Sequence, residues 1–212
     1  MRATNYYCSK LTSVAIGKGV SSIADTAFRY CSLTKVNISD LAAWVRIEFS
    51  DYQMFGFAYD LYLNGNLVTN LVIPYGVTSI GNYAFYGCSS LKSVTIPSTV
   101  TKIGKEAFVD TSVTSVYSLS KTPPTIVYIG FSFNLNPTLH VPVGCRSVYA
   151  NAECWKNFSN IVEDLSAIED VADDNPSVVK LYNLDGQESD GTEKGIYIVK
   201  YSDGTTKKVL VK

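Results

Sequence analysis

A unit of about 23 residues recurs along the chain, and this repeat limits the fold more than any other feature. Aligning Ile16, Ile73 and Ile96 places apolar residues in register on both sides of each isoleucine. The shared apolar positions are occupied by Leu11, Val68 and Leu91, by Val14, Leu71 and Val94, by Val20, Val77 and Val100, by Ile23, Ile80 and Ile103, and by the pairs Ala27-Phe28, Ala84-Phe85 and Ala107-Phe108. A unit of this length cannot bury its apolar face alone, so successive units must stack into a solenoid.

The segment from Leu91 to Ile96 has the pattern L-x-x-V-x-I, which predicts one short strand in each coil. Because side chains alternate along a strand, Val94 and Ile96 are expected to face the core, and the residues between them to face outward. Pro97 lacks a backbone donor and should end the strand. The pattern therefore predicts a β-rich leucine-rich-repeat solenoid whose short strands run parallel.

The segment LVIPYGVTSIGNYAFYGCSSLKSVTIPSTVTKIGKEAF contains the motif I-P-x-x-V-x-x-I-G-x-x-A-F twice. It resembles the BspA-like leucine-rich repeats of bacterial surface proteins, and the resemblance covers about residues 1–160. This resemblance implies a protein that is secreted or lies on the cell surface. It also implies adhesion to extracellular matrix proteins such as fibronectin and fibrinogen.

Residues 39–67 interrupt the period of the solenoid, which we place at 1–162. Asp40 is suited to cap a short helix, and Asn64-Gly65 predicts a hairpin. The segment is rich in aromatic residues, which leaves two interpretations open. The rings either pack on the solenoid core or form a protruding loop that contacts a ligand, with Tyr52, Phe55 and Tyr59 as its candidate residues.

Residues 139–162 are expected to close the solenoid as a helical cap. Val148, Ala152 and Trp155 are spaced by four and three residues, which predicts a helix with one apolar face. A terminal unit must cover the open core, and Trp155 and Phe158 are large enough to do so.

Residues 163–177 form an acidic stretch that we interpret as a solvated linker. Beyond it, residues 178–212 alternate with period two and contain three Asp-Gly pairs, which predicts a small antiparallel β module of three or four strands. The segments LYNLDGQ and KGIYIVKYSDGTTKKVLVK resemble the C-terminal sorting domains of type IX secretion cargo in Bacteroidetes. That resemblance implies a role in export.

Composition excludes several classes of function. The formal net charge is −1, with 18 basic and 19 acidic residues and no basic run, which argues against nucleic-acid binding. No apolar stretch approaches the roughly 20 residues that span a bilayer, so we expect no membrane insertion. The first residues align with the end of a repeat, since YYCSKLTSV matches FYGCSSLKSV. We therefore expect further repeats on the N-terminal side.

The residue types that carry chemistry are scattered. Three of the five cysteines, Cys8, Cys31 and Cys88, share one repeat position and are interpreted as small buried thiols in a ladder. The sequence leaves open whether Cys145 and Cys154 form a disulfide in the cap. His140 is the only histidine and no C-x-x-C occurs, so we predict no metal site and no cofactor. No nucleophile motif accompanies His140, so we predict no catalytic residues and no enzyme activity.

The outward strand positions remain as candidates for binding. They include Asn70, Val72, Ser93, Thr95, Ser115 and Tyr117, and only Tyr117 offers a large anchor. We predict a monomeric interaction protein that binds an extracellular protein, such as a host matrix protein, or a glycan. The alternative is a structural spacer that holds other domains away from the cell surface. A contiguous aromatic patch on the stacked coils would favour the first hypothesis.

Overall fold

The computed structural model describes residues 8–24, 27–28, 30–49 and 58–165, together with the backbone of three strands at 178–182, 195–201 and 206–211. The chain divides into two compact units, Met1–Ser166 and Ala167–Lys212. The first unit is a solenoid of parallel strands, so the predicted fold class is confirmed.

The described part of the first unit contains fourteen strands and two short α-helices. In chain order the strands are β1 (Ser13–Ile16), β2 (Ser22–Ile23), β3 (Lys35–Ile38), β4 (Glu48–Phe49), β5 (Asp60–Leu63), β6 (Asn66–Leu67), β7 (Asn70–Val72), β8 (Ser79–Ile80), β9 (Ser93–Ile96), β10 (Lys102–Ile103), β11 (Ser115–Ser118), β12 (Thr125–Ile126), β13 (Thr138–Pro142) and β14 (Asn160–Leu165). The helices are α1 (Leu41–Trp44) and α2 (Arg146–Asn151), and a 3₁₀ turn follows at Trp155–Asn157.

Each coil contributes its first strand to a parallel ladder. Strands β7, β9, β11, β13 and β14 form a five-stranded sheet, and β1, β3 and β5 form a second sheet, which the hairpin strand β6 ends. Shorter ladders, β8-β10-β12 and β2-β4, lie on the return half of the coils. Within each first strand, buried and more exposed residues alternate, as in β9 and β11. The predicted division into inward and outward strand positions is therefore confirmed.

The aromatic rings of successive coils stack inside the solenoid. The rings of Phe85 and Phe108 are 5.2 Å apart, and those of Phe108 and Phe131 are 5.0 Å apart, with interplanar angles of 9° and 6°. All three side chains are buried, and so are Ile73 and Ile96. The shared repeat position predicts that Phe28 is buried like Phe85 and Phe108, and this is wrong because Phe28 is only partly buried. It belongs to the first described coil.

The irregular segment at 39–67 is built into the solenoid. Asp40 caps α1 as predicted, since its Oδ1 accepts a hydrogen bond from the Ala43 N–H at 2.9 Å. The Trp44 indole N–H donates to the carbonyl of Ala84 at 2.9 Å, which ties the helix to the next regular coil. Strand β5 pairs in parallel with β3, and β5 and β6 form the predicted hairpin around Asn64-Gly65. Much of the segment thus forms a coil that is longer than the regular coils of about 23 residues.

The cap covers the far end of the core as predicted. Trp155 and Phe158 are buried, and the Trp155 indole N–H donates to the carbonyl of Pro124 at 2.7 Å. The predicted helical face is wrong in one respect, because Val148 is 47% exposed and Tyr149 is buried in its place. Helix α2 ends at Asn151, so Val148, Ala152 and Trp155 do not lie on one face of a single long helix.

The boundary predicted at residue 162 also needs correction. Strand β14 runs from Asn160 to Leu165 and pairs in parallel with β13, so residues 163–165 belong to the sheet and not to the linker. The rest of the predicted linker, 166–177, lies outside the described residues.

The second unit contains an antiparallel sheet of three described strands, β15 (Val178–Tyr182), β16 (Gly195–Tyr201) and β17 (Thr206–Val211), with β16 in the centre. This agrees with the predicted β module. The Asp-Gly turns predicted between these strands lie outside the described residues.

Candidate binding surface

The outward side of the five-stranded sheet carries two rows of side chains, which we call the outward strand surface. It comprises Asn70, Ser93, Ser115, Thr138 and Asn160 in one row and Val72, Thr95, Tyr117, His140 and Val162 in the other. Neighbouring side chains bond across the coils: Ser93 Oγ donates to Asn70 Oδ1 at 2.8 Å, and Asn160 Nδ2 donates to Thr138 Oγ1 at 2.9 Å. The six strand residues predicted as candidates thus lie on one continuous surface.

Tyr117 and His140 form an aromatic stack on this surface. They are register partners on β11 and β13, and their ring centroids are 4.3 Å apart with an interplanar angle of 15°. Both side chains are half-buried, so each ring is held against the sheet and keeps an accessible edge. The aromatic anchor predicted at Tyr117 is therefore a pair of rings rather than one.

Asp164 lies beside the Tyr117–His140 stack. The register between β13 and β14 shifts after Val141, so that Asp164 has no Cα partner on β13, as at a β-bulge. A bulge can turn a side chain toward a neighbour, and Asp164 Oδ2 lies 2.8 Å from His140 Nδ1. With a proton on Nδ1, His140 donates this hydrogen bond to the carboxylate. The bond fixes the imidazole ring that stacks on Tyr117.

Sequence reasoning missed Asp164 because it stands in an acidic run that reads as a linker. The same correction applies to Glu163, whose Oε1 accepts a hydrogen bond from the Arg146 N–H at 2.7 Å, at the start of α2. The available signal was the apolar pattern Ile161-Val162, which continues the strand up to these two acids.

The second predicted site, the aromatic insertion, is not supported at Tyr59. This residue is 2% exposed, and its backbone bridges to Cys88 in the next coil, with Tyr59 N–H donating to Gly87 O at 3.0 Å. Tyr59 is therefore a core residue and cannot contact a ligand from a protruding loop. Tyr52 and Phe55 lie outside the described residues.

The structure shows a second aromatic cluster that the repeat alignment did not predict. The Lys105 ammonium lies 5.5 Å from the ring centroids of both Tyr83 and Tyr128, a distance suited to cation–π attraction. Its pKa is raised, chiefly by a hydrogen bond with Tyr83. Val127 and Ile129 flank Tyr128 and are also exposed. The sequence did not reveal this cluster, because Lys105 and Tyr128 fall outside the apolar positions that the repeats share.

The described residues offer no group of three His, Cys, Asp or Glu side chains that could hold a metal ion. Within the same part of the chain, no helix is both long and apolar enough to cross a bilayer. The chemistry of the outward strand surface is thus that of hydrogen bonding, ring stacking and one carboxylate.

Comparison with known proteins places the repeats in a family. The model of the BspA type leucine rich repeat region matches residues 2–51 and 58–168 with six copies of the repeat. Among solved structures, the chain is similar to a leucine-rich cell surface protein from Faecalibacterium prausnitzii A2-165, with 19% identity and a TM-score of 0.30. That match covers 95% of this chain and 45% of the other, so the chain spans less than half the length of that protein. No curated protein gives a significant match. Because the repeat model covers well over half of the sequence, the chain belongs to the family of BspA-type leucine-rich repeat proteins.

Proposed function

We propose that this protein is a non-enzymatic interaction protein, secreted or exposed on the cell surface, that binds an extracellular protein or a glycan through the outward strand surface. The resemblance of its repeats to those of bacterial surface proteins supports the location. A host matrix protein is the first partner to test, since the resemblance implies adhesion.

The observation that supports this function most directly is the Tyr117–His140 stack held by Asp164. Aromatic side chains dominate the energy of many interfaces, particularly when surrounding contacts exclude water. These rings lie on paired strands, so little conformational entropy would be lost when a partner binds. The small polar residues beside them, such as Ser115 and Thr95, leave a partner room to approach the ring edges.

A binding assay with immobilised matrix proteins and glycans tests the proposal. We expect Tyr117→Ala to weaken binding by about tenfold or more, the effect of losing a hot-spot aromatic. Tyr117→Phe keeps the ring and should bind within a few-fold of the unmodified protein. Tyr75→Ala removes another exposed tyrosine, in the turn after β7, and serves as the matched control.

The same assay separates the alternatives. Unchanged affinity in Tyr117→Ala would contradict the proposed surface, and a loss in Tyr128→Ala instead would place the contact at the Tyr83–Lys105–Tyr128 cluster. If the unmodified protein binds none of the immobilised partners, the spacer function is favoured.

The role of the C-terminal unit is a separate part of the proposal. Its resemblance to type IX sorting domains suggests that it directs export in a Bacteroidetes host, and its three antiparallel strands are compatible with a small module of that kind. Deleting 178–212 should then retain the protein inside the cell, whereas export of the shortened chain would contradict this role.

A further inference from the structure

Cys8 and Cys31 occupy the same position in two consecutive coils. Strands β1 and β3 pair with Ser13 opposite Lys35, and just before them the Lys35 N–H donates to Thr12 O at 3.1 Å. Thr12 follows Cys8 by four residues, and Lys35 follows Cys31 by four residues. Ser13 lies five residues after Cys8 and its partner Lys35 lies four residues after Cys31, so the two cysteines are on neighbouring coils within one residue of direct register.

A later coil shows how the backbones of neighbouring coils pair at this position. Cys88, the third cysteine of the set, forms a parallel bridge with Tyr59 of the preceding coil. Parallel bridged residues have Cα atoms about 5 Å apart, within the range of about 4.4–6.8 Å that a disulfide requires. Cys31 sits in the same kind of turn as Cys88, because the Cys31 N–H donates to Phe28 O at 3.0 Å as the Cys88 N–H donates to Phe85 O at 3.1 Å.

Exposure distinguishes this pair from the other thiols. Cys8 and Cys31 are both half-buried, whereas Cys88, Cys145 and Cys154 are buried. Each buried thiol also has a partner of its own: Cys88 Sγ is 3.5 Å from Ser90 Oγ, and Cys154 Sγ is within hydrogen-bonding distance of Tyr128 O. A dissolved oxidant would therefore reach Cys8 and Cys31 first, because access limits thiol–disulfide exchange.

We propose that Cys8 and Cys31 are a modification site, at which exchange with a low-molecular-weight disulfide forms an intrachain disulfide that links two consecutive coils. One cysteine thiolate attacks a sulfur of the small disulfide and displaces one thiolate. The other cysteine thiolate then attacks the protein sulfur of the mixed disulfide and displaces the second. The two protein sulfurs are oxidised, the small disulfide is reduced to two thiols, and the two protons lost by the cysteines are taken up by those products.

The pKa of the Cys31 thiol is raised, mainly by burial and further by the neighbouring Cys8. Since the thiolate is the attacking species, this reaction should accelerate as the pH rises above neutrality. The placement of the two cysteines on neighbouring coils favours closure of the disulfide over accumulation of the mixed species.

The test uses the full chain, reduced first and then incubated with oxidised glutathione. Samples are quenched in acid, denatured, alkylated and mapped by mass spectrometry. We expect the product to be about 2 Da lighter than the reduced protein before alkylation, with a Cys8–Cys31 link and with Cys88, Cys145 and Cys154 alkylated. The melting temperature should rise by about 5 to 15 °C.

Variants make the assignment specific. Cys8→Ser and Cys31→Ser should each lose the intrachain link and retain glutathione as a mixed disulfide on the remaining cysteine of the pair. Cys88→Ala, at the equivalent repeat position, should oxidise like the unmodified protein. A Cys145–Cys154 link, a link between two chains, or a protein that stays reduced or stops at the mixed disulfide would each overturn the proposal.

Discussion

The side-chain oxygens of Ser118 and Tyr149 lie 2.7 Å apart inside the solenoid core, and both residues are completely buried. Ser118 occupies the strand position that Ile73 and Ile96 fill in other coils. The Tyr149 hydroxyl donates in turn to the Ser120 carbonyl at 2.8 Å. A polar residue is tolerated at this core position because a residue of the cap, far along the chain, both fills the space and satisfies the hydroxyl.

This pair leads to a first prediction. Tyr149→Phe should destabilise the solenoid by about 1–3 kcal/mol, because the change leaves the Ser118 hydroxyl and the Ser120 carbonyl without their partner. Chemical denaturation measures the free energy of unfolding. The double variant Ser118→Ala/Tyr149→Phe should recover part of the loss, since it removes one of the stranded groups. A double variant that loses the sum of both single effects would show that the two hydroxyls do not interact.

Alkaline pH should lower the stability of the solenoid, because buried tyrosine and cysteine side chains would then lose their protons. Burial raises the pKa of Tyr149 to about 12 and that of the Cys88 thiol to about 11, and it also raises the pKa of Tyr59. A group whose pKa is raised in the folded state favours folding fully only below its unfolded pKa, which is about 8.5 for cysteine and 10 for tyrosine. Stability should therefore fall as the pH rises from about 9 to 12. Melting temperatures measured across this range check the slope, which should be shallower in Tyr149→Phe.

The solenoid and its inward positions could be predicted from sequence because the apolar offsets recur in three units. Features that depend on pairing between distant segments could not be predicted from the sequence. The aromatic insertion left open whether Tyr59 packs on the core or protrudes, and the bridge between Tyr59 and Cys88 places it in the core. Asp164 stood in an acidic run, and only the register shift between β13 and β14 reveals that it meets His140. In both cases local composition did not determine where the residue lies, and tertiary pairing did.

The ring stack predicts a graded response to truncation. Phe108 lies between Phe85 and Phe131, so Phe108→Ala should cost about 3–5 kcal/mol of unfolding free energy. Phe28→Ala should cost distinctly less, because Phe28 is only partly buried. Denaturant unfolding of both variants gives the comparison. Equal losses would mean that the first described coil is packed as tightly as the coil of Phe108.

The cap should protect the core from association between molecules. Trp155 packs on Phe131 and Phe158, with ring centroids 5.8 and 5.9 Å away, and bonds to the Pro124 carbonyl. Trp155→Ala should uncover these rings, lower stability by about 3–5 kcal/mol and promote aggregation. Trp155→Phe keeps most of the packing and loses only the indole bond, so light scattering should give it the same size as the unmodified protein. A monomeric Trp155→Ala variant of unchanged stability would show that the cap is dispensable.

The division of the chain into two units predicts where a protease cuts first. The first unit extends to Ser166, and β14 pairs residues 160–165 with β13, so this strand must leave the sheet before a protease can cut it. The acidic sequence from 167 to 177 connects this unit to the strands of the second. Segments between compact units are usual sites of first cleavage, because few contacts have to be broken for the chain to enter an active site. Limited digestion with a protease specific for acidic residues, followed by mass spectrometry, should yield a stable fragment that ends between Glu169 and Asp174. Cleavage at Glu163 or Asp164 before the connector would contradict the placement of these residues in β14, and cleavage within 68–142 would contradict the compactness of the solenoid.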